Sequence, residues 1–453
     1  MRILIFTNAY KPTVSGVVIS IALFRRGLLT AGHDVHIVAP EYGEYQDEEP
    51  YIFRFPAIDL PERLDLSLVL PFRLLMSPTV QGVKPDLIHS QHPFVMGGLA
   101  STFAQDLGVP LVFTFHTRYD QYAQQYIPLV PDLAGLVTEE VVERYLERCA
   151  HVIAPTPSIR EFILREYQPD VPVSVVPTPV DLEQYHDLEP GRIRADWGLE
   201  EAEVLLYVGR LAREKNLQFL LRAFARVASE RPQARLLLVG RGPHEHDLEQ
   251  FAQQLGLGER VIFVGPVAHT EIPHYVAAAD LFVFSSQADT QGLVLIEAMA
   301  AGTPVVAVQA PGPVDVLAEG GGQLVAADAE EFASAVVALL ADPARRQALQ
   351  RDALRVVQQY TIAAATERLL GVYEEAVAAG PRPAKGLQLS LQPDSVKENW
   401  REISDQVHAL SENLSTSLNT AWDGDEVRHY LQDVRSGLRS FLRQIDQIIQ
   451  SDS

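Results

Sequence analysis

Short apolar runs recur along the first two thirds of the chain, each followed by a stretch of helical periodicity. One series reads RILIFT (2–7), DVHIVAP (34–40), DLIHS (86–90), LVFTFH (111–116), HVIAPT (151–156) and VSVVPT (173–178). A second reads VLLYVGR (204–210), RLLLVGR (235–241), VIFVG (261–265), LFVFSS (281–286) and PVVAV (304–308). Between them lie segments such as LQFLLRAFARVA (217–228), where apolar residues fall three and four apart. Runs this apolar suit strands buried on both faces, and their alternation with helices predicts parallel sheets. Two such series predict an α/β protein of two tandem doubly wound domains, residues 1–178 and 179–380. The hinge falls near VVPTPVDLEQY (175–185), where Pro172, Pro177 and Pro179 crowd together.

Beyond 380 the pattern changes. GPRPAKG (380–386) is a linker by composition. Val396, Trp400, Ile403, Val407, Leu410 and Leu414 then follow a 4-3-4-3-4 spacing, and Val427 to Ile448 repeat it after DGD (423–425). Each series is an a/d seam, so 381–453 is read as a linker and a helical hairpin. That hairpin packs on its own chain, self-associates through 396–450 or docks a partner.

Charge and composition narrow the class. The net charge is −22, which argues against nucleic acid as a partner. The single cysteine, Cys149, allows no internal disulfide and fits a reducing compartment. The opening MRILIFTNAYKP reads as a first strand, not a signal peptide, and no apolar run reaches the length of a membrane span. The expectation is a cytoplasmic protein whose membrane contact, if it has one, is peripheral.

Doubly wound domains bind ligands at the carboxyl ends of their strands, so those loops hold the candidate chemistry. Gly16, in NAYKPTVSGVV after the first strand, lets backbone N–H groups approach an anion at a helix start. The absence of G-x-G-x-x-G disfavours a dinucleotide. His116 ends its strand beside Tyr119, Asp120 and Tyr122, a cluster of donors and acceptors suited to hydroxyl groups; the plainer reading is a structural histidine. Arg210 and Lys215 flank the turn GRLAREKN before a helix, a pair of cations suited to a diphosphate. The turns VGRGP (239–243) and FVGPV (263–267), the latter with Gly265 and Val267, offer backbone groups for a flat base.

In DTQGLVLIEAMAAGTPVVA (289–307), Asp289 precedes a helix starting near Gly292. Glu297 lies about one turn inside it. Free N–H groups near Gly292, Leu293 and Val294 form an anion site with a carboxylate to either side. One carboxylate for a ribose and one for a sugar, with a diphosphate between them, describes a nucleotide-sugar site. For Glu297 alone, the plainer reading is an acid favoured by the helix dipole.

Taken in order, KPTVSGVV, FHT, VGRLAREKN, VGRGP, FVGPV and DTQGLVLIEAMAAGTPVVA resemble the retaining glycosyltransferases of family 4, with the GT-B fold, over about residues 1–380. The resemblance implies that Gly16 brings backbone to the diphosphate. It implies that Arg210 and Lys215 stabilise the leaving nucleoside diphosphate, that Glu297 holds the ribose and that His116 reaches the primary-hydroxyl side of the sugar. Gly292, Leu293 and Val294 would give backbone donors to the distal phosphate and sugar. Asp289 stands where the family usually has the first Glu of Glu-x7-Glu, one methylene shorter, against the donor sugar. Pro179 stands where members often have Gly. The tail has no counterpart.

TQGL and FHTRYDQY resemble the diacylglycerol glucosyltransferase branch. That branch implies a hexose moved from a UDP-sugar (UDP-glucose or UDP-galactose) to a lipid acceptor at the inner face of a membrane. FPAIDLPERLDLSLVLPFRLLMSP (55–78) is then a candidate lipid-facing element; the plainer reading packs it in the first domain. No Asp-x-Asp motif suits a metal on the diphosphate, so no metal or cofactor is expected. The same resemblance allows a soluble or polysaccharide acceptor with a GDP-mannose donor. A non-catalytic scaffold is a third alternative.

Overall fold

The computed structural model describes residues 1–382 apart from 56, 60–66, 70–72 and 119–140, and gives only the backbone of 57–59, 67–69, 74 and 75. Tyr119, Asp120, Tyr122 and the expected C-terminal hairpin lie outside the described residues.

The first sheet is wholly parallel. Its strands are β1 (Arg2–Phe6), β2 (Asp34–Pro40), β3 (Ile52–Phe55), β6 (Leu87–Ser90), β7 (Leu111–Thr114), β8 (His151–Ala154) and β9 (Val173–Val175), in the order β3-β2-β1-β6-β7-β8-β9. A small antiparallel pair, β4 (Ala57–Asp59) with β5 (Ser67–Val69), stands apart. The second sheet is also parallel. It comprises β10 (Glu203–Val208), β11 (Ala234–Val239), β12 (Val261–Gly265), β13 (Leu281–Phe284), β14 (Val305–Val308) and β15 (Gly322–Val325), in the order β12-β11-β10-β13-β14-β15. Every residue of the central strands β6, β7, β13 and β14 is buried, as strands covered on both faces require.

Both sheets reverse their winding at one point, between β1 and β6 in the first and between β10 and β13 in the second. Crevices open there at the carboxyl ends of the strands. Four loops leave these crevices: those after β1 and β6, and those after β10 and β13.

Two edge strands, β3 and β15, escape the sequence pattern. Arg54 interrupts IFRF, and Gly322 and Gln323 open GQLV, so neither carries a full apolar run. The span 179–380, expected to form one domain, also ends differently. Helix Ile362–Ala379 buries Leu369, Val372, Tyr373 and Ala376 in the core around β1 and helix α1 (Gly16–Thr30) of the first domain. The chain therefore crosses between the domains twice. The crossings are held side by side where Val180 N–H donates to Tyr360 O at 2.8 Å.

Part of the candidate lipid-facing stretch is core. In helix α2 (Arg73–Val83), Met76 is fully buried, as is Val80 just past the stretch, and Arg73 pairs with Asp106. No helix among the described residues is long and apolar enough to cross a membrane.

Candidate active site

Helix α1 begins at Gly16 itself, with the Ser15 side chain accepting from Val18 N–H. A Cβ on Gly16 would meet no atom within 4 Å. Packing within the chain therefore gives no reason for a glycine there. Close approach of something else to this helix start would.

His116 lies two residues past the end of β7. Its Nε2 is 2.7 Å from Gln91 Oε1, in the loop after β6. Burial, with His92 and His89 nearby, pushes the His116 imidazole down to about 3, so the ring is neutral at physiological pH. A neutral ring that donates from Nε2 to Gln91 keeps Nδ1 as an acceptor, suited to a hydroxyl. Gln91 shows no distinguishing pattern in the sequence.

After β10, Arg210 pairs with Glu214 at 3.1 Å. Lys215 Nζ lies 2.8 and 2.9 Å from the two oxygens of Asp289. The cation expected at a diphosphate and the carboxylate expected at a sugar are thus bonded to each other. The β10/β13 switch point brings their loops together. Ser285 and Ser286, at the end of β13, fix the turn by donating to the carbonyls of Lys215 (2.8 Å) and Glu214 (3.2 Å). Sequence reasoning missed both serines, because a Ser-Ser pair after a strand has many ordinary uses.

Helix Leu293–Ala300 starts as expected. Its cap, Gly292, has φ +77, a left-handed conformation that selects glycine. The Leu293 and Val294 N–H groups that follow have no intrahelical partners, whereas Leu295 N–H donates to Gly292 O at 2.8 Å. Glu297 is 6% exposed, and its Oε1 is 3.4 Å from His269 Nε2, an ion-pair approach without hydrogen-bond alignment. The Glu297 carboxylate raises the His269 pKa against the opposing effect of burial. His269 follows the Gly265–Val267 turn, so it links the expected base-binding turn to the expected ribose carboxylate. Gly265 has φ +79, and its carbonyl accepts from Gly240 N–H at 2.9 Å. Val267 packs against the core beneath the turn.

The two halves meet at the loop holding Asp289. Thr290 Oγ1 donates to the His116 carbonyl at 2.8 Å, and the Thr290 carbonyl accepts from Thr156 Oγ1 at 3.0 Å. His116, Lys215 and Asp289 therefore gather around one loop, with the crevices of both sheets opening on it. Among the described residues no group of three or more His, Cys, Asp or Glu side chains is arranged to hold a metal ion.

Two facing doubly wound sheets with a cationic loop, a carboxylate loop and a helix start at their junction define a GT-B glycosyltransferase. The comparisons agree. Residues 14–184 match the model described as "Glycosyltransferase Family 4", and residues 191–356 the one described as "Glycosyl transferases group 1". An alpha-monoglucosyldiacylglycerol synthase of Streptococcus pneumoniae is 33% identical over 316 residues, 68% of this chain and 71% of that protein. A GDP-mannose-dependent alpha-mannosyltransferase of Corynebacterium glutamicum is 29% identical over 397 residues, 84% of this chain and 91% of that protein. The solved sucrose-phosphate synthase of Thermosynechococcus elongatus superposes with a TM-score of 0.73 at 24% identity, covering 83% of this chain and 99% of that one. The chain belongs to the group 1 and family 4 glycosyltransferases.

Proposed function

We propose that the protein moves a hexose from a nucleoside diphosphate sugar, UDP-glucose or UDP-galactose, to a lipid acceptor such as diacylglycerol, with retention and without a metal. The observation that carries this reading is the Lys215–Asp289 pair at the β10/β13 switch point, hydrogen-bonded through the neighbouring Thr290 to the His116 carbonyl. Lys215 and Arg210 neutralise the charge that grows on the departing diphosphate, supported by the N–H groups at Gly292, Leu293 and Val294. Glu297 takes the ribose hydroxyls, and the backbone around Gly265 and Val267 takes the base. Asp289 orients the sugar, and the neutral His116 accepts from its primary hydroxyl. The acceptor oxygen forms its bond to the anomeric carbon on the face from which the diphosphate oxygen leaves. The acceptor's proton passes to that oxygen.

The lipid acceptor rests on the monoglucosyldiacylglycerol synthases among the relatives, from Streptococcus pneumoniae and, at 28% identity, Acholeplasma laidlawii. On this reading the protein works at the inner face of a membrane. The second reading is a GDP-mannose donor with a soluble acceptor. It is favoured by the mannosyltransferase relative, 91% of whose length this chain covers. The test is a transfer assay with UDP-glucose, UDP-galactose and GDP-mannose in turn, with diacylglycerol in anionic micelles or a soluble sugar acceptor, and chelator throughout. Mass spectrometry reads the glycolipid and NMR its anomeric configuration. Glycolipid from a UDP-sugar upholds the proposal. Transfer only from GDP-mannose to a soluble acceptor replaces it with the second reading.

A further inference from the structure

The segment Pro177-Thr178-Pro179 carries the first crossing between the domains. Its two prolines have no N–H, so Thr178 supplies the only backbone donor of the three. Thr178 is buried, and its N–H and C=O both meet one side chain. Gln291 Oε1 accepts from Thr178 N–H at 2.9 Å, and Gln291 Nε2 donates to Thr178 O at 3.1 Å. A carboxamide is the neutral side-chain group that presents a donor and an acceptor side by side in this way. Gln291 is 4% exposed, so water offers its partners no substitute.

The clasp is part of a wider fastening of the loop that carries Asp289. Thr178 Oγ1 reaches Ser20 Oγ at 3.2 Å, one turn along the helix that starts at Gly16. Thr290 bonds to the His116 carbonyl and to Thr156, as described above. Behind the loop, Gly312 lets helix Pro311–Val316 lie flat against it: a Cβ there would stand 2.7 Å from Asp289 O and 3.0 Å from Gln291 O. Asp315 of the same helix takes Ser158 N–H at 2.8 Å and Ser158 Oγ at 3.1 Å across the domains. Asp289 and Gln291, two residues apart, thus divide the work. One carboxylate meets Lys215 in the cleft, and one carboxamide meets the crossing.

We propose that Gln291 is a positioning residue that locks the Asp289 loop to the interdomain crossing and so sets the donor-sugar end of the cleft. This rests on the glycosyltransferase reading. Glu297, one turn inside the following helix, meets His269 at 3.4 Å at the expected nucleoside end, a contact separate from the clasp. Loss of the clasp therefore lowers turnover and leaves nucleotide affinity in place.

The test compares the full chain with its Gln291→Met and Gln291→Glu variants. Hydrogen exchange is read in the peptide spanning 173–181, UDP binding by calorimetry and donor turnover by steady-state kinetics. The wild-type Thr178 amide is expected to be protected. In Gln291→Met, exchange rises and kcat falls by about tenfold or more, while the UDP Kd changes by less than about threefold. Gln291→Glu, which keeps the acceptor and loses the donor, falls between, and it decides the matter if Gln291→Met does not fold. An unprotected wild-type amide overturns the proposal. So does faster exchange with unchanged kcat, or an equal loss of UDP affinity. Wild-type protein that neither binds UDP nor turns over a donor sinks the glycosyltransferase reading instead, and the exchange data still decide whether the clasp exists.

Discussion

The two walls of the cleft differ in kind. The first-domain wall is polar but uncharged at its centre. Burial pushes the histidines at the ends of β6 and β7 down to about 3 for His89, about 4 for His92 and about 3 for His116. Their partners are hydroxyls, amides and backbone: His89 bonds to Tyr373 and Thr114, and His116 to Gln91. The second-domain wall is built from charges in pairs, namely Lys215 with Asp289, Arg210 with Glu214 and His269 with Glu297. A neutral wall suits hydroxyl groups, whose binding needs no counter-charge. A wall of ion pairs suits a diphosphate, which can take over the cations. One fold thus presents two chemistries, because one sheet's crevice is lined by buried strand ends and the other's by loops that carry ions.

The largest expected effect breaks the charged wall. Lys215→Ala should lower kcat by about 100- to 1,000-fold, as loss of a cation at a developing charge does. Turnover within a few-fold of wild type would remove Lys215 from the chemistry. The neutral wall should break by protonation. Histidines whose folded pKa lies below the ordinary 6.5 leave the unfolded chain with more bound protons in between. Their contribution to stability is complete above about 6.5 and is lost as pH falls towards 3–4. Thermal melts should therefore drop by about ten degrees or more between pH 7 and 5. A flat profile there contradicts the neutral wall.

His116→Ala should lower kcat by about tenfold, the scale of one neutral hydrogen bond, and leave UDP affinity unchanged. A matching loss of UDP affinity would place His116 on the nucleotide side instead. The smallest effect sharpens the contrast. His269, raised by Glu297, has the opposite sign: its contribution is present below about 6.5 and fades as pH rises through its folded value. UDP affinity should fall about threefold in His269→Gln, and its pH dependence above 6.5 should flatten. Unaltered pH dependence would show that the pair does not report on nucleotide binding.

Much of this was legible along the chain. The apolar runs located eleven of the thirteen strands of the two large sheets, because strands buried on both faces announce themselves locally. The helix start near Gly292 was also readable, since a glycine between a strand-end loop and an apolar helical run is a local signal. The sequence alone thus determined the class of fold and the loops that carry charge.

Tertiary structure decided which of those loops face each other. Lys215 and Asp289 are 74 positions apart, Gln291 and Thr178 are 113, and Thr290 and His116 are 174. Strand order, set by packing of whole sheets, brings each pair together. The return of helix Ile362–Ala379 to the first domain was equally hidden, because its apolar stripe specifies a buried face and not the partner that buries it. Periodicity is a local property of the chain; a switch point exists only once the strands have been ordered.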